Sequence, residues 1–193
     1  MRKIIFYIQF SLFFLGAAHA QFGVNGGLNI SNMRGSEIQN NKSKAGLHIG
    51  MFYQVPLSGN FSLQPEVAYS GEGTKISYNG GVQKYNLNFM NLSLLFRYNF
   101  EGDFNLATGL QYGALLSAKL KTGSNSTDLK NLIRNANYSW VITAGYELPS
   151  GFGFYGRYNL GISDIEKDSQ RGSLKASTFQ LGVRYTINPV REE

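Results

Sequence analysis

The sequence predicts an all-β protein: an eight-stranded antiparallel up-and-down transmembrane β-barrel with long outer loops and short periplasmic turns. Three observations carry that expectation. Segments of about ten residues alternate between large apolar or aromatic side chains and small or polar ones, the period of a strand with a different solvent on each face. The connections between these segments alternate between short and long. The chain also opens with an export signal, yet it contains no later apolar run long enough for a spanning helix and no cysteine.

The signal is expected over residues 1–20. Arg2 and Lys3 precede an apolar run at 4–15, and Ala18-His19-Ala20 offers small residues at the positions a signal peptidase reads, which predicts cleavage before Gln21. Residues 21–193 then form one barrel domain. Losing Arg2 and Lys3 takes the formal charge from +6 to +4, a mild excess whose location matters more than its size. Without cysteine there is neither a disulfide framework nor thiolate chemistry, so stability has to come from closure and packing.

Taken in order, the first strand sets Phe22, Val24, Gly26, Leu28 and Ile30 against Gly23, Asn25, Gly27 and Asn29, and a polar stretch at 31–44 follows. The second sets Leu47, Ile49, Met51, Tyr53 and Val55 against His48, Gly50, Phe52 and Gln54, and turns at 56–60. In the third, Phe61, Leu63, Val67 and Tyr69 oppose Ser62, Gln64, Glu66 and Ser70, while Pro65 predicts a bulge or a gap in the ladder. A Gly-rich loop is expected at 71–81. The fourth strand sets Met90, Leu92, Leu94, Phe96, Tyr98 and Phe100 against Asn91, Ser93, Leu95, Arg97 and Asn99, with a turn of only 101–103.

The fifth strand is the longest, placing Phe104, Leu106, Leu110, Tyr112, Ala114, Leu116 and Leu120 opposite Asn105, Gly109, Gln111, Gly113, Ser117 and Lys119. A loop at 121–137 follows, in which Thr127 is positioned to cap a short helix with Leu129, Leu132 and Ile133 on one face. Tyr138, Trp140, Ile142, Ala144, Tyr146 and Leu148 mark the sixth strand, and a turn at 149–151 leads to the seventh, with Phe152, Phe154, Tyr158, Leu160 and Ile162 outward. After a polar loop at 163–175, the eighth sets Phe179, Leu181, Val183, Tyr185 and Ile187 against Thr178, Gln180, Gly182, Arg184 and Thr186. Long connections therefore alternate with short ones, and every strand carries an aromatic near the short-turn end, as in a girdle at one membrane interface. Tyr69, Tyr85, Tyr138 and Trp140 are candidates for the weaker girdle opposite.

Several of these stretches are similar to a known family. FGVNGGLNISN, FSLQPEVAYSGEGTK, NLSLLFRYNF, LATGLQYGALLSAK, GFYGRYNLGISDI and FQLGVRYTI, in this order and spacing, resemble the PorT-like outer-membrane β-barrel family of Bacteroidetes-type bacteria. The resemblance covers nearly all of the mature chain. It implies an outer-membrane barrel, with assistance to protein secretion as the activity of the family's namesake and no assigned activity for most members; the reading that follows is a non-enzymatic outer-membrane barrel.

Glu66, Arg97, Glu147, Arg157 and Arg184 fall on the polar stripes of their strands. An eight-stranded barrel is just wide enough for side chains to fill, so these residues are expected to form a buried ion-pair network that plugs the lumen, with a switchable gate or proton path as the rival reading. His48 also points inward. The inward hydroxyls of Ser62, Ser70, Ser93 and Ser117 are too common a feature to make a catalytic dyad of it. One histidine without cysteine makes no metal site, no cofactor is implied, and GVNGGLN lacks the helix and the Lys-Ser/Thr pair of a phosphate loop. Basic residues concentrate in the long connections and strand ends, among them Lys42, Lys44, Lys75 and Lys84, with acids such as Glu72 half as numerous. Of these, Lys119, Lys121, Lys130 and Arg134 are the candidate contacts to lipopolysaccharide phosphates.

Expected partners are outer-membrane lipid, lipopolysaccharide and secretion or envelope proteins, not nucleic acid. Alternatives are a soluble exported lipocalin-like lipid-binding barrel, a small porin and a rim lipid-modifying enzyme.

Overall fold

Strands that alternate in solvent preference cannot satisfy both faces as an open sheet in lipid, because each unpaired edge would expose backbone N–H and C=O groups where no water can reach them. Closure removes the edges. The computed structural model describes residues 21–35, 41–78, 81–165 and 174–187; the expected export signal and residues 188–193 lie outside them. Nine strands run β1 (Gln21–Gly35), β2 (Asn41–Pro56), β3 (Phe61–Tyr78), β4 (Gly81–Asn99), β5 (Phe104–Thr122), β6 (Asn125–Asp128), β7 (Ala136–Glu147), β8 (Phe152–Gly161) and β9 (Leu174–Ile187). All but β6 form an antiparallel up-and-down ring of eight. The ring is shut by β1 against β9, in register from Phe22↔Ile187 to Gly35↔Leu174. The short β6 folds back on the upper end of β5, from Lys119↔Asp128 to Thr122↔Asn125.

The apolar stripes face outward. Leu47 and Ile49 are 66% and 67% exposed, a placement that is costly in water and favourable in hydrocarbon. Thr108, the polar exception on that face, donates its hydroxyl to the Val141 carbonyl at 3.0 Å and so leaves no free donor. At the short-turn end the aromatic row is continuous in places: Phe61 lies 4.8 Å from Tyr98, Tyr98 is 4.7 Å from Phe100, and Phe100 is 5.5 Å from Phe104 between ring centroids. Between the last two, Gly102 and Asp103 take the left-handed conformation, with φ of 78° and 68°, that so tight a reversal needs.

Pro65 leaves a gap in the ladder: β2–β3 pairing skips from Phe52↔Glu66 to Val55↔Leu63, while β3–β4 pairing runs on through Pro65↔Leu94. Interior space is made by glycine. A Cβ on Gly23 would lie 2.1 Å from the Phe52 ring, so the glycine is what lets that ring enter the lumen. The glycines of GVNGGLN thus sit in a strand and not in a phosphate-binding turn.

Four expectations are corrected by the structure. Residues 71–81 are not a loop, because β3 and β4 continue through them in unbroken register to Tyr78↔Gly81. Gly73 lies within the paired strand at a positive φ of 141°, which side chains rarely adopt, and the Tyr85 carbonyl is 1.9 Å from where its Cβ would be, so the glycine serves close strand approach and not a reversal. Thr127 caps no helix. It pairs with Leu120 in β6, and Leu129 and Ile133 instead turn in over the barrel mouth.

The third correction comes from β5, where pairing shifts from Asn88↔Ser117 to Phe89↔Leu115. The β-bulge absorbs Leu116, after which Leu115 and Ala118 are buried and Lys119 is exposed. Lys119 and Ser117, read as inward, therefore face out. Fourth, Tyr85 belongs to no girdle, since it packs against the apolar cluster inside the outer end.

Candidate functional site: a filled lumen and a basic outer wall

Charges on the inward stripes can be tolerated only if each finds a partner in a space closed to bulk water. From the short-turn end, the first layer is built by Arg97 on β4, Glu147 on β7 and Arg184 on β9. Arg97 Nη2 lies 2.7 Å and Arg184 Nε 3.4 Å from the same Glu147 oxygen. The closer contact is a hydrogen bond, whereas the longer one is an ion pair without hydrogen-bond geometry. Arg97 Nη1 donates to Gln54 at 3.1 Å and Nε to Asn99 at 2.7 Å. The Arg184 guanidinium lies 4.0 Å from the centre of the Phe52 ring, a cation–π contact.

Above it, Arg157 on β8 forks onto Glu66 on β3 across the barrel, Nη1 to Oε1 at 2.6 Å and Nη2 to Oε2 at 2.8 Å. Its Nε is taken by Thr143 at 3.1 Å, and Gln64 donates to Glu66 at 3.2 Å. A bidentate pair of this kind fixes distance and direction together, which pins β3 against β8 although 91 residues separate them.

His48 is engaged at both ring nitrogens. Nδ1 lies 2.7 Å from the Asn29 side-chain oxygen and Nε2 meets the Tyr155 hydroxyl. Since a carboxamide oxygen only accepts, the network assigns the proton to Nδ1 and makes Tyr155 the donor to Nε2. Among the described residues no serine hydroxyl is hydrogen-bonded to the ring. Ser70 donates instead to Glu72 at 2.8 Å and accepts from Asn29 at 2.9 Å, while Ser117 accepts from Asn88 at 2.9 Å away from the lumen.

Glu72 is a further correction: its place in the sequence puts it with the acids of the outer connections, and the structure buries it inside. Thr178 donates to its second oxygen at 3.0 Å, and Lys44, also read as a rim residue, turns in to give Nζ to the Glu72 main-chain oxygen at 3.1 Å. Among the described residues, three guanidiniums thus share the lumen with three carboxyl groups, Glu66, Glu72 and Glu147.

The outer end is apolar. Met33, Leu87, Phe89, Leu115, Ala118, Ile133, Ile165 and Ala176 pack into one buried cluster with Leu129 against it. The segment over the mouth is tied down by backbone bonds from Leu129 to Ala118 at 2.9 Å and from Arg134 to Ile165 at 2.7 Å. Sequence reasoning missed this cap because Met33 and Ile165 fall in stretches that read as polar connections, while Leu87 and Leu115 are assigned to neither face of a strand. Their only signal is apolar residues recurring inside polar connections.

Of the rim candidates, Lys119 and Lys121 share the outer face of β5, whereas Lys130 and Arg134 lie on the turn over the mouth; all four are exposed. Among the described residues no three His, Cys, Asp or Glu side chains converge as a metal site requires.

A closed antiparallel ring, apolar outside and ion-paired inside, is a membrane-spanning barrel. The chain belongs to the family described as outer membrane protein beta-barrel domain, whose model matches residues 13–167. Among solved structures, Neisserial surface protein A aligns at 12% identity with a TM-score of 0.54, over 87% of this chain and 99% of that one. The attachment invasion locus protein Ail of Yersinia pestis, in complex with the heparin analogue sucrose octasulfate, aligns at 15% identity with a TM-score of 0.51, over 88% and 99%. Outer membrane protease OmpT from Escherichia coli aligns at 10% identity with a TM-score of 0.41, over 87% and 96%, too low to bear on chemistry. Among curated proteins none matches this sequence.

Proposed function

We propose that this protein is a non-enzymatic, solute-tight outer-membrane barrel whose partners meet it at its surfaces: lipid and lipopolysaccharide along the wall, and envelope or secretion proteins, in the PorT-like sense, at its outer end. The observation that carries this reading is the filled lumen. The ion-pair layers commit Glu66 to Arg157 and Glu147 to Arg97 and Arg184 beneath an apolar cap, and opening a water path would break pairs that cost about 3 to 5 kcal/mol each when one partner is lost. The two nitrogens of His48 are likewise committed, which argues against a rim enzyme. A soluble lipid carrier would need the apolar stripes inside, opposite to their placement on this ring.

The PorT-like part rests on the sequence resemblance. Planar-bilayer recording tests the solute-tight barrel: the refolded protein is expected to give no steady conductance, and a long-lived, large open state would make it a porin instead.

A further inference from the structure

Lys42, Lys75, Lys84 and Lys121 occupy one row across four strands. Lys42 pairs with Lys75, Lys75 with Lys84, and Lys84 with Lys121. Directly opposed residues of antiparallel strands share a face, and like charges so placed repel. Three such contacts in succession therefore weaken the sheet, and Lys42, Lys84 and Lys121 are exposed and Lys75 half-buried. Among the described residues none of the four is in an ion pair. A fold does not need this arrangement for its own stability, and with no carboxylate of the described residues paired to the row, an anion outside the chain is what would offset it.

Position identifies that anion. The row lies on the outward face, six residues along β3 from Tyr69 and six along β4 from Met90, the last large outward residues of the lipid belt on those strands. At about 3.3 Å per residue and a strand tilt of about 40°, that places it roughly 15 Å beyond the belt's edge. Between belt and row the outward positions on β3 and β4 are small or polar: Gly71, Gly73, Asn88 and Asn86. The row thus looks sideways into the sugar layer of the same leaflet, not upward into solution. Its four ammonium groups span about 14 Å, three strand spacings, wide enough for several anionic groups on one oligosaccharide.

We propose that Lys42, Lys75, Lys84 and Lys121 form a binding site for the phosphorylated core saccharide of a lipopolysaccharide molecule lying against the β2–β5 wall. This rests on the outer-membrane orientation proposed above and names the site at which that contact is made. The four lysines draw the anion while their backbones, held in a continuous sheet, keep the charges at fixed spacing.

The test uses the refolded full-length barrel in uncharged detergent with purified rough lipopolysaccharide, followed by native mass spectrometry and thermal melting. The unmodified protein should retain lipopolysaccharide and melt higher with it. The K42Q/K75Q/K84Q/K121Q variant should retain it about tenfold less, most visibly at low salt, and should melt no lower than the unmodified protein when lipopolysaccharide is absent, since repulsion has been relieved. R34Q/K175Q, which removes charge from the adjoining β1–β9 wall, beginning one strand beyond the row, should retain it normally.

Undiminished retention by the fourfold variant, an equal loss in R34Q/K175Q, or equal binding of dephosphorylated lipopolysaccharide would overturn the site. So would capture of soluble sucrose octasulfate by the row without retention of lipopolysaccharide. Failure of the membrane reading would appear separately, as absence of the unmodified protein from the outer-membrane fraction.

Discussion

Glu66 and Arg157 show what a buried charge asks of its surroundings. Both side chains are nearly inaccessible, at 1% and 4% exposure, and every polar atom of the Arg157 fork has a partner. Glu66→Ala would leave that guanidinium buried and uncompensated, so it is expected to destabilise the barrel by about 3 to 5 kcal/mol, read as a lower melting temperature in detergent. Glu101→Ala, in an exposed turn, should change it by less than about 0.5 kcal/mol. Replacing the pair together, Glu66→Leu with Arg157→Met, should recover most of the loss, because an apolar pair carries no desolvation cost. Failure of the double variant to recover would mean that direction, not charge compensation, is what the pair supplies.

The β3–β4 hairpin marks the boundary of what the sequence discloses. Alternation of Val67 and Tyr69 against Glu66 and Ser70 was legible because lipid and lumen ask for different side chains, and the short turns were legible from their Gly, Pro and Asn content. Residues 71–81 were not, since glycines that permit close strand approach and glycines that reverse a chain look alike in one dimension. Cross-strand register is likewise absent from a single strand: nothing near Leu116 announces the bulge that turns Lys119 outward, and the four aligned lysines emerge only when β2 to β5 are placed side by side. Glu66, Arg97, Glu147, Arg157 and Arg184 could be read as inward from phase alone, but not which carboxylate each guanidinium would meet. Hydrogen exchange checks the hairpin. The amides of Thr74, Lys75 and Ile76, in a strand paired on both sides, should exchange far more slowly than that of Ser124, exposed in the turn between β5 and β6; rapid exchange at all four would restore the loop.

Over the whole ring the two walls differ in height. Strands β3, β4 and β5 run 18, 19 and 19 residues, against 12 and 10 for β7 and β8, whereas about ten residues suffice to cross the membrane. The surplus all lies at the end away from the short turns. It carries the basic row on its flank and the apolar cap within, so the outward-facing chemistry and the seal of the lumen are built from the same extra length of strand. This arrangement serves an outer-membrane protein only if that end faces outward. An epitope inserted at Asn125, in the hairpin between β5 and β6, is the most direct measure: antibody should label it on intact cells, whereas a tag placed after Glu193 should be labelled only after the outer membrane is broken. Labelling of the terminal tag on intact cells, with the Asn125 epitope silent, would contradict the orientation on which the whole reading stands.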